Sequence, residues 1–120
     1  MSELLVDSDV LIDHLRGATA FAPPAGAASY SVVTRAELFA GRASEEAVIE
    51  QLLAPMRELV LDRAIAERAG RLRRDHGVGL ADALIAATAL AHELELLTRN
   101  RRHFERVPGL RLAASRSRDG

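Results

Sequence analysis

Short apolar runs alternate with helical segments along nearly the whole of this 120-residue chain, and that alternation leaves few architectures open. Leu4, Leu5 and Val6 form a run typical of a buried strand, and Val10, Leu11, Ile12 and Leu15 then recur at helical spacing. SYSVVT (29–34) reads as a second strand, followed by a short helix, RAELFAGR, that Gly41 closes. Ser44 is placed to cap EEAVIEQLLAPM, which Pro55 helps to end. ELVL (58–61) is a third strand, and Asp62 then caps the amphipathic RAIAERAGRLRRDHG, which stops at Gly77. A helix over about 81–93 contains DALIAATALA, apolar almost all round, as suits a helix buried between a sheet and other helices. ELLT (95–98) reads as a fourth strand, NRRHF as a turn or short helix, and LRLA (110–113) as a last short strand. The Gly/Pro/Ala stretch GATAFAPPAGAA (17–28) is a connection with no regular structure expected. Strands alternating with helices predict an α/β fold with a central parallel sheet and helices on both faces. The length predicts one domain over 1–120, with a core of about 3–113 and a basic tail over 114–120.

Composition removes several kinds of chemistry. The chain has no cysteine, which excludes disulfides, thiolate metal sites and a cysteine nucleophile. All sixteen basic residues are arginine, so mechanisms that require a catalytic lysine are excluded too. Glu3 and Asp7 stand where a signal peptide would need a basic and then an apolar region, and no apolar run nears membrane-spanning length, so a cytoplasmic location is expected. Charge is distributed unevenly. Residues 1–98 carry nine arginines against fifteen acids, whereas residues 99–120 carry seven against Glu105 and Asp119. An acidic body beside a basic end suits a protein that holds metal with one surface and phosphate with another; a solvated tail explains the same pattern.

Four positions gather chemical interest. Asp7 ends the first strand, and in open α/β sheets ligands bind in the crevice outside the strands' carboxyl ends. Glu37 follows the second strand, Asp82 opens the apolar helix, and Asn100 follows the fourth strand. Each has a local structural explanation. Asp7 or Ser8 can cap a helix, Thr34-Arg35-Ala36-Glu37 matches a capping box, Asp82 suits a first helical turn, and Asn100 can initiate a turn. Jointly they suggest more. Asp82 shares a helical face with Ile85, Ala86 and Ala89, so an inward-packed face would carry its carboxylate inward. Converging carboxylates repel one another unless a cation sits among them, and hard oxygen ligands suit Mg²⁺ or Mn²⁺.

The ordered set VDSDVLID, VVTRAEL, LADALIAATAL and LLTRNRRHF resembles the PIN-domain ribonucleases, and within them the VapC toxins of bacterial toxin–antitoxin pairs. The resemblance runs from Leu4 to about Arg111. It implies a compact domain that hydrolyses structured RNA, such as tRNA or rRNA, with Mg²⁺ or Mn²⁺, leaving a 5′-phosphate and a 3′-hydroxyl. It also implies a VapB-type antitoxin that covers the active site, and a homodimer. By the same resemblance Asp7, Glu37 and Asp82 are catalytic and metal-binding acids, with Glu37 either a ligand or the group that orients or deprotonates water. Asn100 stands where many members have a fourth acid, which leaves the second metal position open. Asp9 and Thr98 are read as supporting groups around the site, and Asp13 as a surface or helix-supporting acid. Arg99, Arg101, Arg102 and Arg106 are placed to grip the RNA backbone, and His103 is either structural or an acid–base group.

Two other readings remain open on the sequence. Asp7-Ser8-Asp9 is a D-x-D after a strand, as in haloacid-dehalogenase-type phosphotransferases, where Asp7 would form an aspartyl phosphate. Such enzymes ordinarily need a longer chain. The other is a PIN-like module that binds RNA or protein without turnover, with Asn100 as the lost acid.

Overall fold

A computed structural model describes residues 3–18, 20–22, 28–42 and 44–114. The elements run β1 (Leu4–Val6), α1 (Ser8–Leu15), β2 (Ala28–Ser31), α2 (Val32–Ala40), α3 (Glu46–Leu53), β3 (Arg57–Leu59), α4 (Arg63–His76), α5 (Leu80–His92), β4 (Glu95–Leu97) and α6 (Arg101–Phe104). Residues 115–120 of the basic tail and 23–27 of the Gly/Pro/Ala connection lie outside the described residues.

The four strands form one parallel sheet in the order β3-β2-β1-β4. Because side chains alternate across a strand, each strand feeds both faces of the sheet. Leu5, Leu59 and Leu96 join α4, α5 and α6 in one apolar cluster, with Ile65, Ala69, Ala86 and Phe104. Leu4, Val6, Tyr30 and Leu97 join α1, α2 and α3 in a second, with Leu11, Leu38, Ile49 and Leu53. The sheet is thus a partition between two cores, as the alternation of elements predicted. On α5, Ala83, Ala86, Ala87 and Ala89 are fully buried, and their small side chains let α4 and the sheet approach closely. Gly77 ends α4 with φ at 69°, a left-handed turn that a residue with a side chain adopts at a cost of about 1 kcal/mol.

Several boundaries differ from the sequence expectation. The second strand ends at Ser31 rather than at 34, because the Ser31 side chain accepts from the Val33 N–H and starts α2 there. Thr34 is consequently inside the helix and fully buried, so Thr34 and Glu37 are not a capping box. Glu45 rather than Ser44 occupies the N-cap of α3, without a side-chain capping bond. The third strand is Arg57–Leu59 rather than 58–61, and Val60 is 66% exposed. The fourth stops at Leu97, one residue short of Thr98. LRLA contributes a single bridge, Leu96 to Leu112, instead of a full strand. α3 buries Ile49 and Leu53 but leaves Val48 exposed, and among the described residues no helix is long and apolar enough to cross a membrane.

Candidate active site

The chain builds β1, β2 and β3 in one direction and then crosses back to lay β4 on the other side of β1. A reversal of this kind opens a crevice at the carboxyl ends of the two strands concerned. Asp7 follows β1 and Thr98 follows β4, so both stand at that crevice. The Asp7 N–H continues the strand pairing to the Leu97 carbonyl at 2.9 Å, while its side chain caps α1 by accepting from the Ser8 N–H at 2.8 Å. Of the two capping residues considered, Asp7 is the cap.

Thr98 ties the crevice together. Its hydroxyl donates to Asp7 Oδ2 at 2.7 Å, lies 3.3 Å from Asp9 Oδ2, and accepts from the Asn100 N–H at 3.0 Å. The Arg99 N–H donates to both Asp9 oxygens, at 3.2 and 3.3 Å. Asp9, on the first turn of α1, therefore anchors the loop after β4. Thr98→Val keeps the shape and removes the hydroxyl, leaving a buried carboxylate oxygen and a backbone N–H without their partner. A loss of about 1–3 kcal/mol is expected in urea unfolding at pH 8, where Asp7 is ionised.

Asp7 is 5% exposed. Burial, reinforced by the neighbouring charges of Asp9 and, more weakly, Asp82, pushes its carboxyl up to about 7. The hydrogen bonds from Thr98 and Ser8 act in the opposite direction and are outweighed. A buried acid facing two further acids is a position that a cation relieves.

Glu37 reaches this region from α2 by hydrogen bonding to Ser8 Oγ, next to Asp7 in the chain. Asp82 is half-buried rather than drawn fully inward, since the first turn of α5 meets solvent before its apolar face is covered. Its Oδ2 lies 3.3 Å from His103 Nδ1. Asp82, His103 and Arg106 line an open cavity of about 270 Å³ together with Gly77, Val78 and Gly79. Asn100 is exposed before α6, and its side chain makes no capping bond.

The four arginines differ in their engagements. Arg99 is ion-paired to Asp13 at 2.8 Å, which draws Asp13 to the rim of the crevice. Arg101 donates to the Ala113 carbonyl at 2.6 Å. Arg102 is exposed, and Arg106 lies 3.5 Å from the His76 carbonyl at the cavity. Sequence reasoning passed over Ser8 and Thr34 as side-chain partners of the site. The signal was present in the i, i+3 spacing of Thr34 and Glu37, which puts both on one face of a helix.

Among the described residues no three His, Asp or Glu side chains stand together closely enough to hold a metal ion unaided. The donor chemistry nonetheless fits a hard cation. Asp7, Asp9 and Asp82 are all oxygen donors, and Asp7 feels the charge of the other two. Both Asp7 oxygens already accept hydrogen bonds, an arrangement that suits a fixed ligand better than an attacking nucleophile.

Comparison with known proteins places the chain in a family and matches its fold. The PIN domain family matches residues 4–110. Ribonuclease VapC10 of Mycobacterium tuberculosis is 46% identical over 113 residues, spanning 84% of this chain and 85% of its own. Ribonuclease VapC19 of the same organism is 36% identical over 119 residues, spanning 88% and 95%. Among solved structures, a chain of a toxin–antitoxin complex from Klebsiella pneumoniae matches with a TM-score of 0.75 and 32% identity, over 90% of this chain and 95% of its own. A chain of VapBC2 from Rickettsia felis, bound to a DNA fragment from its promoter, shares the fold at a TM-score of 0.76 and 18% identity, over 93% and 98%.

Proposed function

This chain belongs to the PIN-domain family and, within it, to the VapC ribonucleases; from that premise we propose that it is a metal-dependent endoribonuclease toxin. Its substrate is structured RNA such as tRNA or rRNA, its cofactor Mg²⁺ or Mn²⁺, and its partner a VapB-type antitoxin that blocks the site; the toxin itself pairs as a homodimer. The observation that carries the reading is the buried Asp7 carboxylate at the strand crossover, without an arginine or histidine ion pair among the described residues and opposed by Asp9 and Asp82.

Asp7 and Asp82 are the residues that would hold the ion. Two carboxylates completed by water and substrate phosphate are the usual protein share of a Mg²⁺ site, which accounts for the absence of a three-residue cage among the described residues. When bound, the ion lowers the pKa of a coordinated water and stabilises charge on the phosphoryl oxygens. Thr98 and the Ser8 N–H fix the Asp7 carboxylate, and Asp9 holds the loop that carries Asn100. Glu37, hydrogen-bonded to Ser8 beside Asp7, would orient the attacking water and take its proton. The water oxygen joins phosphorus, the bond to the 3′ oxygen breaks, and a proton ends on that oxygen, leaving a 5′-phosphate and a 3′-hydroxyl. Arg102, which is exposed, and Arg106, whose contact with the His76 carbonyl is a long 3.5 Å, would meet the RNA backbone, since Arg99 and Arg101 are more tightly engaged within the chain. With only 3% aromatic residues, base stacking contributes little, and RNA shape directs the cut.

Purified protein given total cellular RNA with Mg²⁺ or Mn²⁺ is expected to yield discrete fragments that vanish in EDTA. Asp82→Ala should slow cleavage by about a hundredfold through loss of metal. Folded, antitoxin-free protein that binds Mn²⁺ yet cuts no RNA would overturn the proposal in favour of a binding module. Covalent phosphate on Asp7 would overturn it in favour of a phosphotransferase.

A further inference from the structure

Two buried hydroxyls beside Asp7 have no part in the mechanism so far. Ser8 is 5% exposed and Thr34 is fully buried. Their oxygens lie 3.0 Å apart across the contact between α1 and α2, and Ser8 Oγ also hydrogen-bonds Glu37 Oε1. A hydroxyl has one proton and an ionised carboxylate only accepts. The Ser8 proton therefore goes to Glu37, and the Thr34 proton is free to go to Ser8 Oγ. Thr34 and Glu37 are three residues apart on α2, so the helix presents both to the same serine. One Glu37 oxygen is thereby committed, while Oε2 has no hydrogen-bond partner among the described residues.

We propose that Ser8 and Thr34 are positioning residues that pin Glu37 by one oxygen outside the set of direct metal ligands, leaving the other oxygen to act on the attacking water. The inference rests on the nuclease reading and narrows it, because a direct ligand and a water-orienting base predict different metal affinities.

The test compares wild type with Ser8→Ala, Thr34→Val and Glu37→Gln, using Mn²⁺ titration, steady-state cleavage kinetics and the ¹³C resonance of the Glu37 carboxyl. Melting temperature is followed throughout to separate positioning from loss of fold. Ser8→Ala is expected to lower kcat by about 10–100-fold with KM within about twofold, and Thr34→Val to act in the same direction by about 3–10-fold. Glu37→Gln should leave the Mn²⁺ Kd within about threefold, whereas Asp7→Asn, as the reference ligand variant, raises it more than about tenfold. The Glu37 carboxyl resonance should move in Ser8→Ala even without metal or RNA. The proposal falls if Ser8→Ala cuts at the wild-type rate, if the Glu37 resonance is unchanged, or if Glu37→Gln weakens Mn²⁺ as Asp7→Asn does. If the wild type cuts no RNA, the nuclease reading fails on its own, and the resonance and the titration still decide where Glu37 is held.

Discussion

Asp7→Asn is expected to stabilise the metal-free protein while reducing RNA cleavage at least about a thousandfold. The stabilisation follows from the carboxyl's displacement to about 7 from its ordinary 3.8. The folded state holds the Asp7 proton more tightly than the unfolded chain does, so this group favours folding at low pH. Its contribution declines as pH rises from 3.8 towards 7, and above that the buried charge costs about 4 kcal/mol. Asparagine has no charge to bury, and the hydrogen bonds survive the change. Its carbonyl oxygen accepts from the Ser8 N–H, its amide donates to Thr98 Oγ1, and the Thr98 proton turns to Asp9, already 3.3 Å away. At pH 8 in EDTA the variant should therefore melt roughly 10 °C above wild type, with the gap closing towards pH 4. Added Mn²⁺ should raise the wild-type melting temperature and leave the variant unmoved. Thermal unfolding across pH, with and without metal, measures all of this. A variant no more stable than wild type at pH 8 would mean that the Asp7 charge is not penalised.

The second large effect is structural. Phe104 is 1% exposed, ends the four-residue α6, and packs into the cluster formed by α4, α5 and one face of the sheet. A helix of that length does not hold itself together, so its place depends on tertiary contacts, of which this ring is the buried one and the Arg101 bond to the Ala113 carbonyl an outer one. Phe104→Ala should cost about 3–5 kcal/mol by transfer and cavity terms, a large share of the 5–15 kcal/mol typical of a domain. Urea unfolding should show a lower midpoint, with the slope kept if unfolding stays two-state. Because α6 follows Asn100 directly, metal-dependent cleavage should fall further than the unfolded fraction alone explains. A loss below about 1 kcal/mol would mean that α6 is held by something other than Phe104.

The sequence made the layout of this protein legible because strands and helices differ in apolar period. Leu4–Val6 followed by Val10, Leu11 and Leu15 needed no further information, and the two-faced sheet followed from the alternation. The positions of Asp7 and Asp82 were legible for a related reason, since Asp7 directly follows β1 and Asp82 lies in the first turn of α5, whereas Glu37 lies within α2, six residues beyond the end of β2. Where the chain passes from Ser31 into Val32 and Val33 the signal failed, since β-branched residues read as strand while a serine cap had already begun the helix. The same slip hid the contact of Thr34 with Ser8, the serine that hydrogen-bonds Glu37, for Thr34 looked like a cap when it was a buried helical residue. Asp82's half-exposure and the commitment of Arg99 to Asp13 depend on contacts between distant segments, about which local periodicity is silent.

The sheet's role as a partition has a functional consequence. Asp9 and Glu37 come from the helices on one side of it, Asp82 and Asn100 from those on the other, and Asp7 sits at the edge between them. Neither half carries a complete set. On the nuclease reading, a chain with one layer detached therefore lacks a complete site, and cleavage requires both layers to be docked on the sheet.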